Sequence, residues 1–130
     1  MPPTTATPTS TPTPTLGSCL LDVDGSGPPA DVATDIIYIA RTLLGLTPAP
    51  ASFRALDPLI PPDATITANV NAIRNRLDVD GNAVVDVATD IVYIARRLLR
   101  LPPVPASFRA LDPTLPPDSV IAATVDALCP

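Results

Sequence analysis

Leu77-Asp78-Val79-Asp80-Gly81-Asn82, running on to Asp86 and Asp90, decides how this chain is read. The run has an earlier copy, Leu21-Asp22-Val23-Asp24-Gly25-Ser26-Gly27, which runs on to Asp31 and Asp35. Short acids at alternate positions around a glycine turn, followed by an acid at the head of an apolar helix, bring oxygen atoms together. The chemistry that uses such a gathering is coordination of a hard cation, above all Ca²⁺, which takes about six to eight oxygen ligands. The expected ligands are Asp22, Asp24, Ser26, Asp31 and Asp35 in one loop, and Asp78, Asp80, Asn82, Asp86 and Asp90 in the other, for one or two Ca²⁺ ions. The competing reading is a pair of acidic turns that merely cap helices. That reading leaves unexplained why repelling carboxylates are collected twice.

Outward from these loops, the chain is an internal duplication. Asp31 to Arg41 recurs as Asp86 to Arg96 with one change, Ile37 to Val92, and Ser52-Phe-Arg-Ala-Leu-Asp-Pro58 recurs unchanged as Ser107 to Pro113. The offset is 55 residues over most of the repeat and 56 at the Leu-Asp-Val-Asp-Gly start, so the first loop carries one extra residue. Repeat 1 covers about 19–74 and repeat 2 about 75–130, within a domain at 18–130.

Each repeat reads as loop, helix, Pro-rich connection, helix. Ile36, Ile39, Ala40 and Leu43 share a face of a helix expected at about 32–44, which Gly45 ends. Ile91, Ile94, Ala95 and Leu98 do the same at about 87–99. Second helices follow Pro-Pro-Asp, with Asp63 and Asp118 as expected N-caps and the stripes Ile66, Val70, Ile73 and Ile121, Val125, Leu128. Stripes this narrow do not hold a lone helix together. The expected fold is therefore all-α, with two loop–helix–helix repeats packed about a pseudo-two-fold axis. Within the connections, Arg54 and Asp57, like Arg109 and Asp112, are spaced to brace a turn.

The acidic loops, with Thr34-Asp35 and Thr89-Asp90 at the helix starts, resemble the EF-hand-like loop–helix repeats of dockerins and of related secreted bacterial proteins. The resemblance covers about residues 19–129. It implies calcium binding, an extracellular setting and protein docking. The chain departs from the pattern in three places. The closing acid of such loops is normally twelfth, whereas Asp35 is fourteenth from Asp22 and Asp90 thirteenth from Asp78; Ser26 replaces an acid; and Ala83 stands where glycine usually supplies a positive-φ turn.

Cys19 shifted by the repeat offset falls on Asn75, and Cys129 shifted back falls on Arg74, so the two cysteines map onto the joint between the repeats. A Cys19–Cys129 disulfide would close the second joint as the Arg74–Asn75 peptide closes the first. It would contribute on the order of 4–5 kcal/mol in the chain-entropy account and require an oxidising compartment. Free thiols or an intermolecular bond are the alternatives.

Composition narrows the function. The 13 acids are all Asp, the 8 bases all Arg, and the formal charge is −5. No basic stripe or aromatic platform is present, which argues against nucleic acid. No apolar run approaches the roughly 20 residues of a membrane span, and no signal peptide is read at the start. No histidine and only two cysteines make a zinc site improbable. With neither His nor Glu, and with its Asp residues arranged as ligands, the chain is read as a non-enzyme. Residues 1–17 form a Thr/Pro-rich extended tail, a linker or stalk. In a secreted protein, Thr4, Thr5, Thr7, Thr9, Thr11, Thr13 and Thr15 would be O-glycosylation sites.

The expected function is that of a secreted or surface-bound, calcium-binding structural or adhesive module that docks another protein. The alternative is a self-assembling subunit of an extracellular fibre or coat. The expected contact surface is a Tyr–Arg patch: Tyr38, Arg41, Tyr93, Arg96 and Arg97. A second reading packs each tyrosine beneath a Pro-rich connection. Phe53 and Phe108 are read as satellite core.

Overall fold

The structure is a computed structural model and describes residues 19–26 and 30–129. The Thr/Pro tail and its candidate glycosylation sites lie outside the described residues. The fold is all-α, with no strand among the described residues. A π-helical turn, Val32–Ile36, runs into α1, Ile37–Leu43; α2 is Ala51–Leu56 and α3 is Asp63–Ile73, ending in a 3₁₀ turn at Arg74–Arg76. The second half repeats the order: a π-helical turn at Val87–Ile91, then α4 (Val92–Leu98), α5 (Ala106–Leu111) and α6 (Asp118–Leu128).

The apolar stripes meet in one core shared by both halves. Ile39, Ile66, Val70, Ile94, Ile121, Val125 and Leu128 are fully buried, together with Leu21, Val23, Leu77 and Val79 from the acidic loops. Inside each half, α1 packs on α3 and α4 on α6. Between the halves the packing is reciprocal, α1 against the second π turn and α4 against the first. The loops are thus pinned by alternate apolar residues facing the core while their carboxylates face the other way.

The cysteines are joined as Cys19–Cys129, across 110 positions of sequence. Beside the disulfide, the Leu20 amide donates to the Leu128 carbonyl at 2.8 Å, so α6 leads into the first loop. At the other joint the chain itself carries α3 through the 3₁₀ turn into the second loop.

Several local expectations are corrected. The connections hold short helices, α2 and α5, which begin directly after Pro50 and Pro105. At six residues each is too short to stand alone, and two contacts fix it. Phe53 packs edge-to-face on Tyr38 at 6.1 Å, and Phe108 on Tyr93 at 6.0 Å. Arg54 donates to the Ile60 and Pro61 carbonyls (3.1 and 2.7 Å) and pairs with Asp63 at 2.6 Å; Arg109 repeats this with Leu115, Pro116 and Asp118. The arginines therefore pair with Asp63 and Asp118, not with Asp57 and Asp112. Asp63 and Asp118 correspondingly occupy the first helical position after a proline and make no side-chain cap.

Tyr38 and Tyr93 are 0% and 1% exposed, which overturns the exposed Tyr–Arg patch. Their Phe partners on α2 and α5 cover them, as in the alternative reading. The arginines are committed within the chain too. Arg41 donates to the Thr47 carbonyl at 2.7 Å and Arg96 to the Pro102 carbonyl at 2.8 Å, tying down the turns after α1 and α4. Arg97 pairs with Asp126 of α6 at 2.7 Å.

Candidate metal centre

Each loop brings three carboxylates together. Asp22, Asp24 and Asp35 each place an oxygen within 4.8 Å of the other two, and Asp78, Asp80 and Asp90 do the same. Local turn chemistry sets the loop acids. Gly25 and Gly81 take φ of +69° and +74°, a region that costs an L side chain about 1–2 kcal/mol. The chain then curls back so that its N–H groups meet carboxylates: Ser26 N donates to Asp24 Oδ1 at 3.0 Å, and Asn82 N to both Asp78 Oδ1 and Asp80 Oδ1 at 3.2 Å. Ala83 N donates to Asp78 Oδ2 at 2.8 Å. Ala83 itself sits at φ +72°, so the position where the sequence lacks glycine does adopt the left-handed conformation.

The third acid comes from the helix. Ile36 N bonds Asp31 O at 3.3 Å and Ile91 N bonds Asp86 O at 3.4 Å, the i to i−5 pattern of a π turn. Asp35 and Asp90 sit in these turns and are both 0% exposed. Asp35 accepts from Asp24 N (3.3 Å) and Asp31 N (2.9 Å). Asp90 accepts from Val79 N (2.9 Å), Asp80 N (3.3 Å) and Asp86 N (2.9 Å), so one buried carboxylate clips the loop onto the helix.

Burial makes these acids electrostatically costly. It pushes Asp35 up to about 7 and Asp90 up to about 6; the charges of Asp24 and Asp80 add to the effect, and the N–H donors oppose it. Asp80 is raised by burial and by the neighbouring Asp78. Burial pushes Asp24 the same way, but the hydrogen bonds from Ser26 outweigh it and hold that carboxyl below its ordinary value. The three ion pairs among the described residues use Asp63, Asp118 and Asp126, so no arginine offsets Asp35 or Asp90.

Of the ten expected ligands, the structure gathers six. Asp31 and Asp86 stand outside the triads as N-caps of the π turns, where each accepts from the backbone N–H two residues on, Ala33 or Ala88, at 2.8 Å. Asn82 Oδ1 takes the Val84 N–H at 2.9 Å. Ser26 is exposed beside Gly25. The donor atoms are all oxygens, the set that suits Ca²⁺ or Mg²⁺ and disfavours zinc and copper. Among the described residues, no helix is long and apolar enough to cross a membrane.

The reading of the sequence missed the two short helices and the arginine ties. Pro50 and Pro105, each followed by Ala-Ser-Phe-Arg-Ala-Leu, were the available signal, since proline is at home at a helix start. Comparison with known proteins gave no matching family model, no matching curated protein and no matching solved structure.

Proposed function

We propose that this chain is an extracellular calcium-binding module, EF-hand-like in plan, that folds around up to two Ca²⁺ ions and docks another protein. The observation that carries the reading is the pair of carboxylate triads, one per repeat, each including an acid that is wholly buried and faces no arginine. Collecting such groups is unfavourable unless a cation joins them. Asp22, Asp24 and Asp35 would hold one ion and Asp78, Asp80 and Asp90 the other. Backbone carbonyls, Ser26, Asn82 and water are available to complete the six to eight oxygens.

The disulfide supports an oxidising compartment, hence secretion. Docking is supported by apolar surface that recurs with the repeat. Leu44 and Leu46 after α1, and Leu99 and Leu101 after α4, are 44–61% exposed. Sedimentation of the chain by itself would reveal whether this surface instead serves self-association.

Thermal unfolding with Ca²⁺, with Mg²⁺ and with a chelator tests the ion. At a free concentration about 100 times Kd, one ion adds about 2.7 kcal/mol, which raises Tm by about 10 °C for a domain near 100 residues. A melting point indifferent to the chelator would sink the calcium reading.

A further inference from the structure

Each half holds a pocket between its acidic loop and its short helix, of about 250 Å³ in the first repeat and about 310 Å³ in the second. All eight residues lining the first pocket have their repeat equivalents lining the second. The lining combines apolar and acidic residues: Phe53 and Leu56 with Asp24 and Asp57, and Phe108 and Leu111 with Asp80 and Asp112. The volumes lie at or below the low end of ligand clefts, about 300–1,000 Å³, and suit one inserted side chain. Leu56 and Leu111, both 86% exposed, flank the openings as bare apolar surface.

We propose that each pocket takes an arginine side chain of a partner polypeptide. Three observations converge on that chemistry. The apolar wall suits the three methylenes of arginine, and the planar, weakly hydrated guanidinium suits carboxylates and aromatic rings. The hydroxyl of the fully buried Tyr38 has no hydrogen-bond partner and lies in the field of Asp24, Asp35 and Asp57, opposed by Arg54, whose charge is already paired with Asp63. In the second pocket, the buried Thr89 Oγ1 is the atom left without a partner.

The charge balance favours a cation even with an ion in the loop. Three triad carboxylates and one dication leave one negative charge, and Asp57 or Asp112, which belong to neither triad, add another. The inference therefore does not rest on the calcium reading. It also accounts for the duplication: two equivalent pockets let one partner engage through two arginines, which multiplies weak contacts into useful avidity.

The test is a ¹⁵N NMR titration of the intact chain at constant ionic strength, run once with millimolar Ca²⁺ and once with a chelator, the same pocket response being expected in both. The probes are acetyl-Gly-Arg-Gly-amide, its citrulline analogue and its leucine analogue, each at millimolar concentration. The arginine peptide is expected to shift the amides of Thr34, Tyr38, Phe53 and Asp57 and their equivalents Thr89, Tyr93, Phe108 and Asp112. Citrulline, which keeps the shape and loses the charge, should bind about ten-fold more weakly. The Asp57→Asn/Asp112→Asn variant should lose the response and otherwise keep its spectrum, because Asn retains the Oδ1 that accepts the Leu59 and Thr114 N–H groups. Equal shifts from citrulline or leucine, shifts spread over the whole acidic surface, or no shift at the pockets would each overturn the proposal.

Discussion

Removing the Cys19–Cys129 bond should cost this domain a large share of its stability. The bond spans 110 positions, so nearly all of the described chain lies inside the loop it closes. In the chain-entropy account, a loop of that length removes about 16 cal/mol/K from the unfolded ensemble, or about 5 kcal/mol at 25 °C. Small domains are stable by about 5–15 kcal/mol in all. The assay is urea unfolding at fixed Ca²⁺, comparing the oxidised chain, the chain reduced in place and the Cys19→Ser/Cys129→Ser variant. Cys19 is only 9% exposed, so the serine variant also carries the burial of a hydroxyl, worth about 1–2 kcal/mol. Reduction in place keeps both cysteine side chains and so comes closer to isolating the cross-link. A loss of about 4–5 kcal/mol is expected, with a steeper urea dependence because the unlinked chain unfolds to a more open ensemble. A loss under about 1 kcal/mol would refute the reasoning, since the cross-link would then not be what restricts the unfolded ensemble.

Ala83 and Arg100 hold positive φ at +72° and +64°, and Arg100 stands where the first repeat has Gly45 at +78°. Ala83→Gly and Arg100→Gly should each stabilise by about 0.5–1 kcal/mol in urea unfolding; a loss would show that these side chains contribute contacts worth more than the strain. Asp86→Asn should leave calcium affinity within about two-fold, because asparagine caps as well as aspartate, whereas Asp80→Asn should weaken it about ten-fold or more; calorimetric titration that ranks them the other way would put Asp86 in the coordination shell. For ion-stripped protein, Asp35 at about 7 and Asp90 at about 6 bind protons more readily in the folded chain than at the unfolded value, about 3.9. Folded stability should therefore rise as pH falls from about 7.5 to about 5, and saturating Ca²⁺ should reverse the trend because the ion requires both carboxylates ionised. A melting point of stripped protein that falls over that window would contradict the burial argument.

The parts of the fold that repeat at helical spacing were legible. Ile66, Val70 and Ile73, and their counterparts Ile121, Val125 and Leu128, are buried as their stripe requires, because periodicity reports directly which face leaves water. The offset between copies placed both cysteines at one joint, and the structure closes it as Cys19–Cys129 rather than leaving free thiols or an intermolecular bond. Tyr38 and Tyr93 were misread because α1 and α4 are covered on two sides. The core takes the isoleucine face, and α2 and α5, invisible as short Pro-flanked segments, bring Phe53 and Phe108 over the other. A six-residue helix has too few turns to show a period. Arg54 was matched to the acid three residues on, whereas the turn after α2 carries its guanidinium to the start of α3 and Asp63. Local spacing predicts pairs within an element and is silent once the chain bends between the partners.

The candidate centre shows the same division, and its unexpected feature explains an awkward count. Measured from Asp78, the buried acid Asp90 is thirteenth, one place later than the pattern the loops resemble. A π turn holds one residue more than the α turn it replaces, so the Val87–Ile91 turn absorbs the surplus and still points Asp90 at the Val79 and Asp80 amides. Asp86, left at the mouth of that wider turn, becomes its cap. One inserted residue thus divides two acids between two places, helix cap and carboxylate triad, and no count of spacing along the sequence could assign them. Deleting Ala88 should convert the turn to an ordinary α turn and bring the closing acid to twelfth. If the π turn exists to absorb the extra residue, that deletion should keep the fold and calcium affinity within about ten-fold, a difference of about 1.4 kcal/mol. If the wider turn is instead needed to aim Asp90, the deletion should abolish calcium binding at the second loop alone, visible as one ion fewer than the parent takes up.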